Sequence, residues 1–371
     1  MSDRIYSIDA MRIIAMAFII TIHTDPFRGV GAYGNILNFV IDSSARFAVP
    51  FFFVTSGYFF ARKIAHCDPV AYFAERAATI SSIYVFGLLL SAPVFLVGWV
   101  VRAGAENRDI ASTVALKLTE FVSPLALLYY GNSVSEILWF LPALLFSLAI
   151  ICSFAVFDAT KYLIPISLGL HVVGLLGSSY TMFVDVPFEV RDALFFGLFY
   201  TSLGYALHSS EWRPGPDRSA LFLGATVLFG ALHLGERYVL GYVVTDETLG
   251  HGIYTSSYTI ATALVTLSLF LFLLSRPTLG ARTPLPDLGK YAVGVYVAHP
   301  AVLFALETAA EVLEGMGYEI QTTLLWHVAL TPATFFGALL VYIGAHRVGA
   351  IEIGGSHLPG VRSIGKYVQR Q

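Results

Sequence analysis

The chain has 371 residues, of which 56% are apolar and only 13% charged, with a mean hydropathy of +0.72 and a net charge of −3. A soluble domain carries about 25% charge, so an ordinary water-soluble fold is excluded, and the near-neutral balance gives no reason to expect nucleic acid as a partner. Two cysteines, Cys67 and Cys152, lack ligand spacing and suggest neither a disulfide framework nor a zinc site.

Apolar runs of about 17 to 25 residues recur between short polar breaks, the pattern of a polytopic all-α membrane protein. The first run carries Arg12 within it and ends in His23-Thr24-Asp25-Pro26 without a small-residue cleavage site, so it reads as a retained helix rather than a secretory signal. In chain order the spans fall at 6–24, 45–61, 79–101, 137–157, 162–179, 190–208, 219–235, 254–275, 288–307 and 322–345. Ten is an even number, so both termini share one side of a plasma membrane. Cytoplasmic loops are enriched in Lys and Arg. With the N-terminus inside, fourteen basic residues fall on the cytoplasmic side and seven outside, among the latter Arg46 and Arg237. The connections 102–136 and 236–253 are long enough to fold over the outer mouth. With no repeat and no soluble segment visible, residues 1–347 read as one ten-helix transmembrane bundle, and 348–371 as a partly ordered cytoplasmic tail.

The first span holds a permanent cation and a titratable imidazole eleven positions apart, Arg12 and His23. That interval leaves them ~20° apart around a helix and ~16 Å apart along it. Asp9 precedes Arg12 by one turn and can pair with it. Met16 and Ile19 share the stripe, so this face is expected to point into the bundle. An arginine inside a span is costly and marks a functional site by default; the plainer reading is an arginine snorkelling to the headgroups and an interfacial histidine. In the second span Pro50 should loosen the helix, and Ser56-Gly57 offers a small surface for close helix approach, followed by Tyr58. Trp139-Phe140-Leu141-Pro142 opens the fourth span, with Glu136 just before it. The ninth runs through Tyr296 to His299, a second intramembrane imidazole. The remaining histidines, 66, 171, 208, 233, 251, 327, 346 and 357, form no convincing metal-ligand pair, and no metal is expected.

Ile8-Asp9-Ala10-Met11-Arg12, followed eleven positions later by His23, resembles the opening signature of the acyltransferase-3 family of membrane O-acyltransferases. Val49-Pro50-Phe51-Phe52-Phe53 through Ser56-Gly57-Tyr58, then Trp139-Phe140-Leu141, then Gly294-Val295-Tyr296-Val297-Ala298-His299 resemble its later motifs in order. The chain departs from the family pattern in having Ile13 where a glycine commonly follows the arginine, and Arg76 alone where a basic cluster is common. The resemblance implies a cytoplasmic acyl-CoA donor, acetyl-CoA first among them, with no permanently bound cofactor. It also implies a hydroxyl acceptor on a sugar, glycolipid or polysaccharide precursor at the membrane or its outer side. His23 and Arg12 then carry catalysis, while Asp9, Arg76, Ser56, Tyr58, Trp139, Tyr296 and His299 bind donor or acceptor. His299 reads equally well as a structural hydrogen-bonding residue. The competing class is a transporter or flippase of a glycan or anionic substrate, since many spans, proline-broken helices and a midmembrane cation also describe carriers. Against a carrier, the charge inside the membrane is expected on one short stripe alone.

Overall fold

A computed structural model describes residues 4–184, 186–250 and 259–356, and among these every regular element is helical. In chain order they are α1 (Tyr6–Thr24), α2 (Gly31–Ala45), α3 (Ala48–Ile64), α4 (Pro69–Ala105), α5 (Ile110–Phe121), α6 (Phe140–Val156), α7 (Leu163–Ser178), α8 (Leu198–Ser209), α9 (Ser219–Tyr238), α10 (Ile260–Ser275), α11 (Leu285–Leu288), α12 (Ala292–Gly315) and α13 (Leu324–Arg347). Among the described residues eight helical stretches are long and apolar enough to cross a membrane, so the protein is multi-pass. The expected spans 190–208 and 254–275 correspond to shorter helical stretches, at 193–209 and Ile260–Ser275. His251 and residues 357–371, including the expected tail beyond Ser356, lie outside the described residues.

Helix α2 is not among the expected spans. Its sequence, GAYGNILNFVIDSSA, mixes Gly, Asn, Asp and Ser with apolar residues, and that dilution reads as a loop although the segment is helical. Helix α4 starts ten residues before the expected span and runs for 37 residues, ~55 Å at 1.5 Å per residue. That exceeds the ~30 Å hydrocarbon layer. The expected outer connection 102–136 contains α5, whose first turn is capped by Asp109 accepting from the Ser112 N–H at 2.7 Å.

The chain divides into two compact units, Met1–Pro69 with Ser147–Ala292, and Val70–Phe146 with Val293–Gln371. In the first, α3 and α8 cross at glycines. A Cβ on Gly57 would sit 1.9 Å from the Thr201 carbonyl oxygen, and one on Gly204 1.9 Å from that of Val54. Gly57 thus provides the close approach that its sequence context suggested. Helices α9 and α10 are fastened at one end by Glu236, whose carboxylate accepts from the Ile260 and Ala261 N–H groups at 2.7 and 2.8 Å, satisfying donors that the first turn of α10 leaves open. The start of α1 is tied down by Ser7, whose N–H donates to the Pro277 carbonyl at 3.2 Å and whose hydroxyl donates to that of Leu273 at 2.7 Å.

In the second unit α4 packs on α12. Gly98 faces Phe304 and Thr308, the Phe95 and Phe304 rings stack 4.1 Å apart, and Arg102 forms a two-pronged pair with Glu311 at 2.7 and 2.8 Å. Gly294 of α12 lies against the Tyr342 ring of α13, where a Cβ would come within 2.0 Å. The segment after α13 folds back: Ile351 is buried, the Gly354 N–H donates to the Tyr342 hydroxyl at 2.9 Å, and that of Ser356 donates to the Ser82 hydroxyl at 2.9 Å.

Candidate functional site

The stripe on α1 is built by local geometry alone. The helix is unbroken from Tyr6 to Thr24, so the rise and azimuth expected between Arg12 and His23 stand. Met16 and Ile19 on that stripe are buried, while the Arg12 side chain keeps 33% of its exposure and Asp9 keeps 21%. Arg12 approaches Asp9 to 3.9 Å, but Asp9 makes its shorter bond, 2.7 Å, to Arg4. That hydrogen bond raises the Arg4 pKa above its ordinary value. Arg4 is therefore a member of the Asp9 cluster that spacing did not reveal; it also reaches Asp287 and the Pro286 carbonyl.

His23 lies in the last turn of α1, which ends at Asp25 in the left-handed region with φ 42°. The turn beyond it is held by α2: Asn38 donates to the Pro26 carbonyl at 3.1 Å, and Asn35 accepts from the Gly29 N–H at 2.8 Å. At its other end α2 enters a buried ionic cluster. Arg237 of α9, fully buried, donates to Asp42 at 2.7 Å and to the Ser43 hydroxyl at 2.8 Å. Asp42 also takes two bonds from Arg46, at 3.0 and 2.7 Å. His233 stands beside them, between the Thr259 hydroxyl at 2.8 Å and the Ser43 carbonyl at 3.1 Å. A carbonyl can only accept, so His233 Nε2 carries the proton there.

This cluster corrects two expectations. Arg237 does not belong to an outer loop, because α9 extends past the expected end of its span and buries it. Charge inside the fold is also not limited to the α1 stripe. The only advance signal was Asp42 and Arg46 four positions apart, a helical pairing interval that a loop reading discards.

Tyr58 of α3 is buried with its ring edge-on to His208 of α8 at 5.2 Å and to Phe270 at 5.5 Å, while Ser56 is partly exposed on the same helix. Tyr58 also borders a cavity of about 500 Å³ together with Arg62, His66, His208 and Arg213. His208 and His66, read plainly from the sequence, thus stand in a basic cleft. A second cavity, of about 490 Å³ and mostly apolar, lies on the opposite face of α1, between Met11, Ile14, Phe18 and α9, with Ser43 and His233 in its wall.

In the second unit Tyr296 and His299 lie with ring centroids 5.8 Å apart, and Tyr296 reaches the turn that ends in Trp139. The Tyr296 hydroxyl donates to the main-chain oxygen of Ile137, inside the short turn Glu136–Trp139, and its ring meets that of Phe140 at 5.6 Å. His299 is fully buried with Nδ1 2.6 Å from the Tyr296 carbonyl, which fixes the proton on Nδ1 and leaves Nε2 as the acceptor of the neutral ring. Arg76 is part-buried near the start of α4.

A family model described as an acyltransferase domain matches residues 5–343, nearly the whole chain. The protein belongs to the acyltransferase-3 family. As a multi-pass membrane acyltransferase domain, it has relatives among proteins named for another reaction. It is 23% identical to a serine/alanine racemase of Enterococcus gallinarum over 256 residues, which is 64% of this chain and 34% of that protein. It is 24% identical to an amino-acid racemase of Enterococcus faecalis over 326 residues, which is 84% of this chain and 43% of that protein. The acyltransferase domain therefore spans less than half the length of these relatives. No solved structure matches it.

Proposed function

We propose that this acyltransferase domain moves an acyl group, acetyl first among the candidates, from cytoplasmic acyl-CoA to a hydroxyl of a sugar, glycolipid or polysaccharide precursor at the membrane or its outer side. The observation that carries the reading is the unbroken α1, which places Arg12 and His23 on one stripe ~16 Å apart. A pantetheine arm is of that order of length. The racemase names belong to chains of which this one spans less than half; the proposed activity is that of the domain that nearly fills this chain.

Both termini are placed on the cytoplasmic side of the plasma membrane. Taking Arg46 and Arg237, which are paired to Asp42 in the fold, out of the outer tally leaves five basic residues there against fourteen inside, so the asymmetry that supports this orientation grows. Arg12 then faces the donor side, and His23 the acceptor side.

In the proposed reaction neutral His23 takes the proton of the acceptor hydroxyl as its oxygen attacks the thioester carbonyl. The tetrahedral intermediate collapses, the C–S bond breaks, and CoA leaves as a thiolate that takes up a proton. The products are an ester and free CoA, with the imidazole returned to its neutral form. Arg12 holds the donor arm or a phosphate with its forked donors. Purified protein with acyl-CoA and a panel of glycan and glycolipid acceptors is the test. Acceptor-dependent release of free CoA, lost in His23→Ala, is the expected result; a carrier releases none, and CoA release undiminished in His23→Ala overturns the role given to His23.

A further inference from the structure

The cavity beside Tyr58 is not explained by the α1 stripe. It gathers two arginines and two histidines from separate parts of the chain: Arg62 in the last turn of α3, His66 just beyond it, His208 in the last turn of α8, and Arg213 in the loop that follows. No carboxylate lines it among the described residues. Arg213 lies over the Tyr58 ring with its guanidinium carbon 5.8 Å from the centroid. Its nitrogens donate to the Leu207 and His208 carbonyls at 3.4 Å and to that of Trp212 at 3.0 Å. A basic residue capping a helix end is ordinary, and that accounts for Arg213 taken alone. It does not account for Arg62 reaching the same space, and two guanidinium groups beside two imidazole rings around one cleft suit an anionic ligand.

The position of the cleft narrows the ligand. Ile5, just ahead of α1, forms part of its wall, and Arg12 lies seven residues further along, ~10 Å up the helix axis. The cavity thus opens at the end of α1 from which the donor enters in the proposed reaction. Its volume of about 500 Å³ exceeds what a lone phosphate needs and falls in the range of small-molecule sites. Arginine forks match phosphate oxygens, and the Tyr58 and His208 rings supply flat apolar surface next to them.

The geometry points to this cleft as the seat of the phosphate groups of acyl-CoA, an inference that rests on the acyl-CoA reading above. Phosphate chemistry is shared with anionic lipid headgroups, so the test carries an arm for each source. CoA binding is measured by titration calorimetry on the full chain in neutral-lipid nanodiscs, for wild type, Arg62→Gln, His66→Gln and the charge-keeping Arg62→Lys. Removing a charge-assisted hydrogen bond to a phosphate should weaken CoA binding about tenfold or more in Arg62→Gln, less in His66→Gln, and least in Arg62→Lys. Arg213→Lys is the second probe, since it keeps the charge near the end of α8. Wild type that binds CoA while Arg62→Gln and Arg213→Lys bind it equally well overturns this inference alone. Wild type that binds no CoA overturns the acyl-CoA reading and this inference with it. In the lipid arm, phosphatidylglycerol vesicles that raise the wild-type thermal midpoint but not that of Arg62→Gln, with CoA affinity unchanged, assign the cleft to a headgroup and overturn the donor assignment.

Discussion

Arg237 of α9 and Asp42 of α2, far apart in sequence, meet at 2.7 Å with the arginine fully buried and the carboxylate nearly so. Removing one partner of such a pair leaves a buried charge uncompensated, at a cost of about 3–5 kcal/mol. Asp42→Asn should therefore lower the thermal midpoint of the purified protein sharply, and the double variant Asp42→Asn, Arg237→Met should recover part of the loss. A double variant as unstable as the sum of the singles would show that the two residues do not act as a pair. Because α2 also holds the turn after His23 through Asn38 and Asn35, activity should fall in the single variant beyond the loss of folded protein.

His23→Gln should reduce acyl transfer by about 10² to 10⁴, the range typical of a lost general base, with the protein still inserted and folded. Single-turnover assays on protein matched for expression and thermal midpoint measure the effect. A covalent acyl-histidine route would instead give ping-pong kinetics.

Arg12→Ala should raise the KM for acyl-CoA with a smaller change in kcat, and Arg12→Lys should recover part of it, because lysine restores the charge but not the fork. The approach of Arg12 to Asp9, 3.9 Å, is long enough that losing it should cost little stability. An unaltered KM would remove Arg12 from donor binding.

Gly57→Ala should be poorly tolerated. Its added methyl would lie 1.9 Å from the Thr201 main-chain oxygen, which cannot step aside without separating α3 from α8. Overpacking of a core costs about 1–3 kcal/mol, occasionally more. The same substitution at Gly169, where a Cβ meets nothing within 4 Å, serves as the control. Equal thermal midpoints for the two variants would contradict the close crossing.

Asp109 caps α5 as a carboxylate, and the Ser112 N–H bond holds its pKa below the ordinary value. A depressed folded-state pKa means that the stabilisation is present above the unfolded pKa and is lost as pH falls through the folded one. Amide exchange in α5, corrected for the intrinsic pH dependence, should therefore accelerate on acidification below the usual carboxylate range, and Asp109→Asn, which still caps without ionising, should abolish that dependence. A pH response retained in Asp109→Asn would place its origin elsewhere.

What could be read from the residues was whatever is local along one helix. The apolar runs set the spans, and the interval from Arg12 to His23 fixes their common face because helical geometry depends only on position in the chain. Gly57 and the order of the later motifs were legible for the same reason. The Asp42, Arg46, Arg237 and His233 cluster was not, since its members are drawn from α2 and α9, and α2 carries too many Gly, Asn, Asp and Ser residues to stand out by hydropathy. The basic cleft was hidden likewise: Arg62, His66, His208 and Arg213 each look like loop-edge polar residues, and only the packing of α3 on α8 puts them around one space. The sequence by itself determined the all-helical, multi-pass class and which face of α1 carries Arg12 and His23, but not helix α2 or α5. Which distant charges meet was decided by tertiary structure alone, because an ion pair records the distance between two side chains and not their separation along the chain.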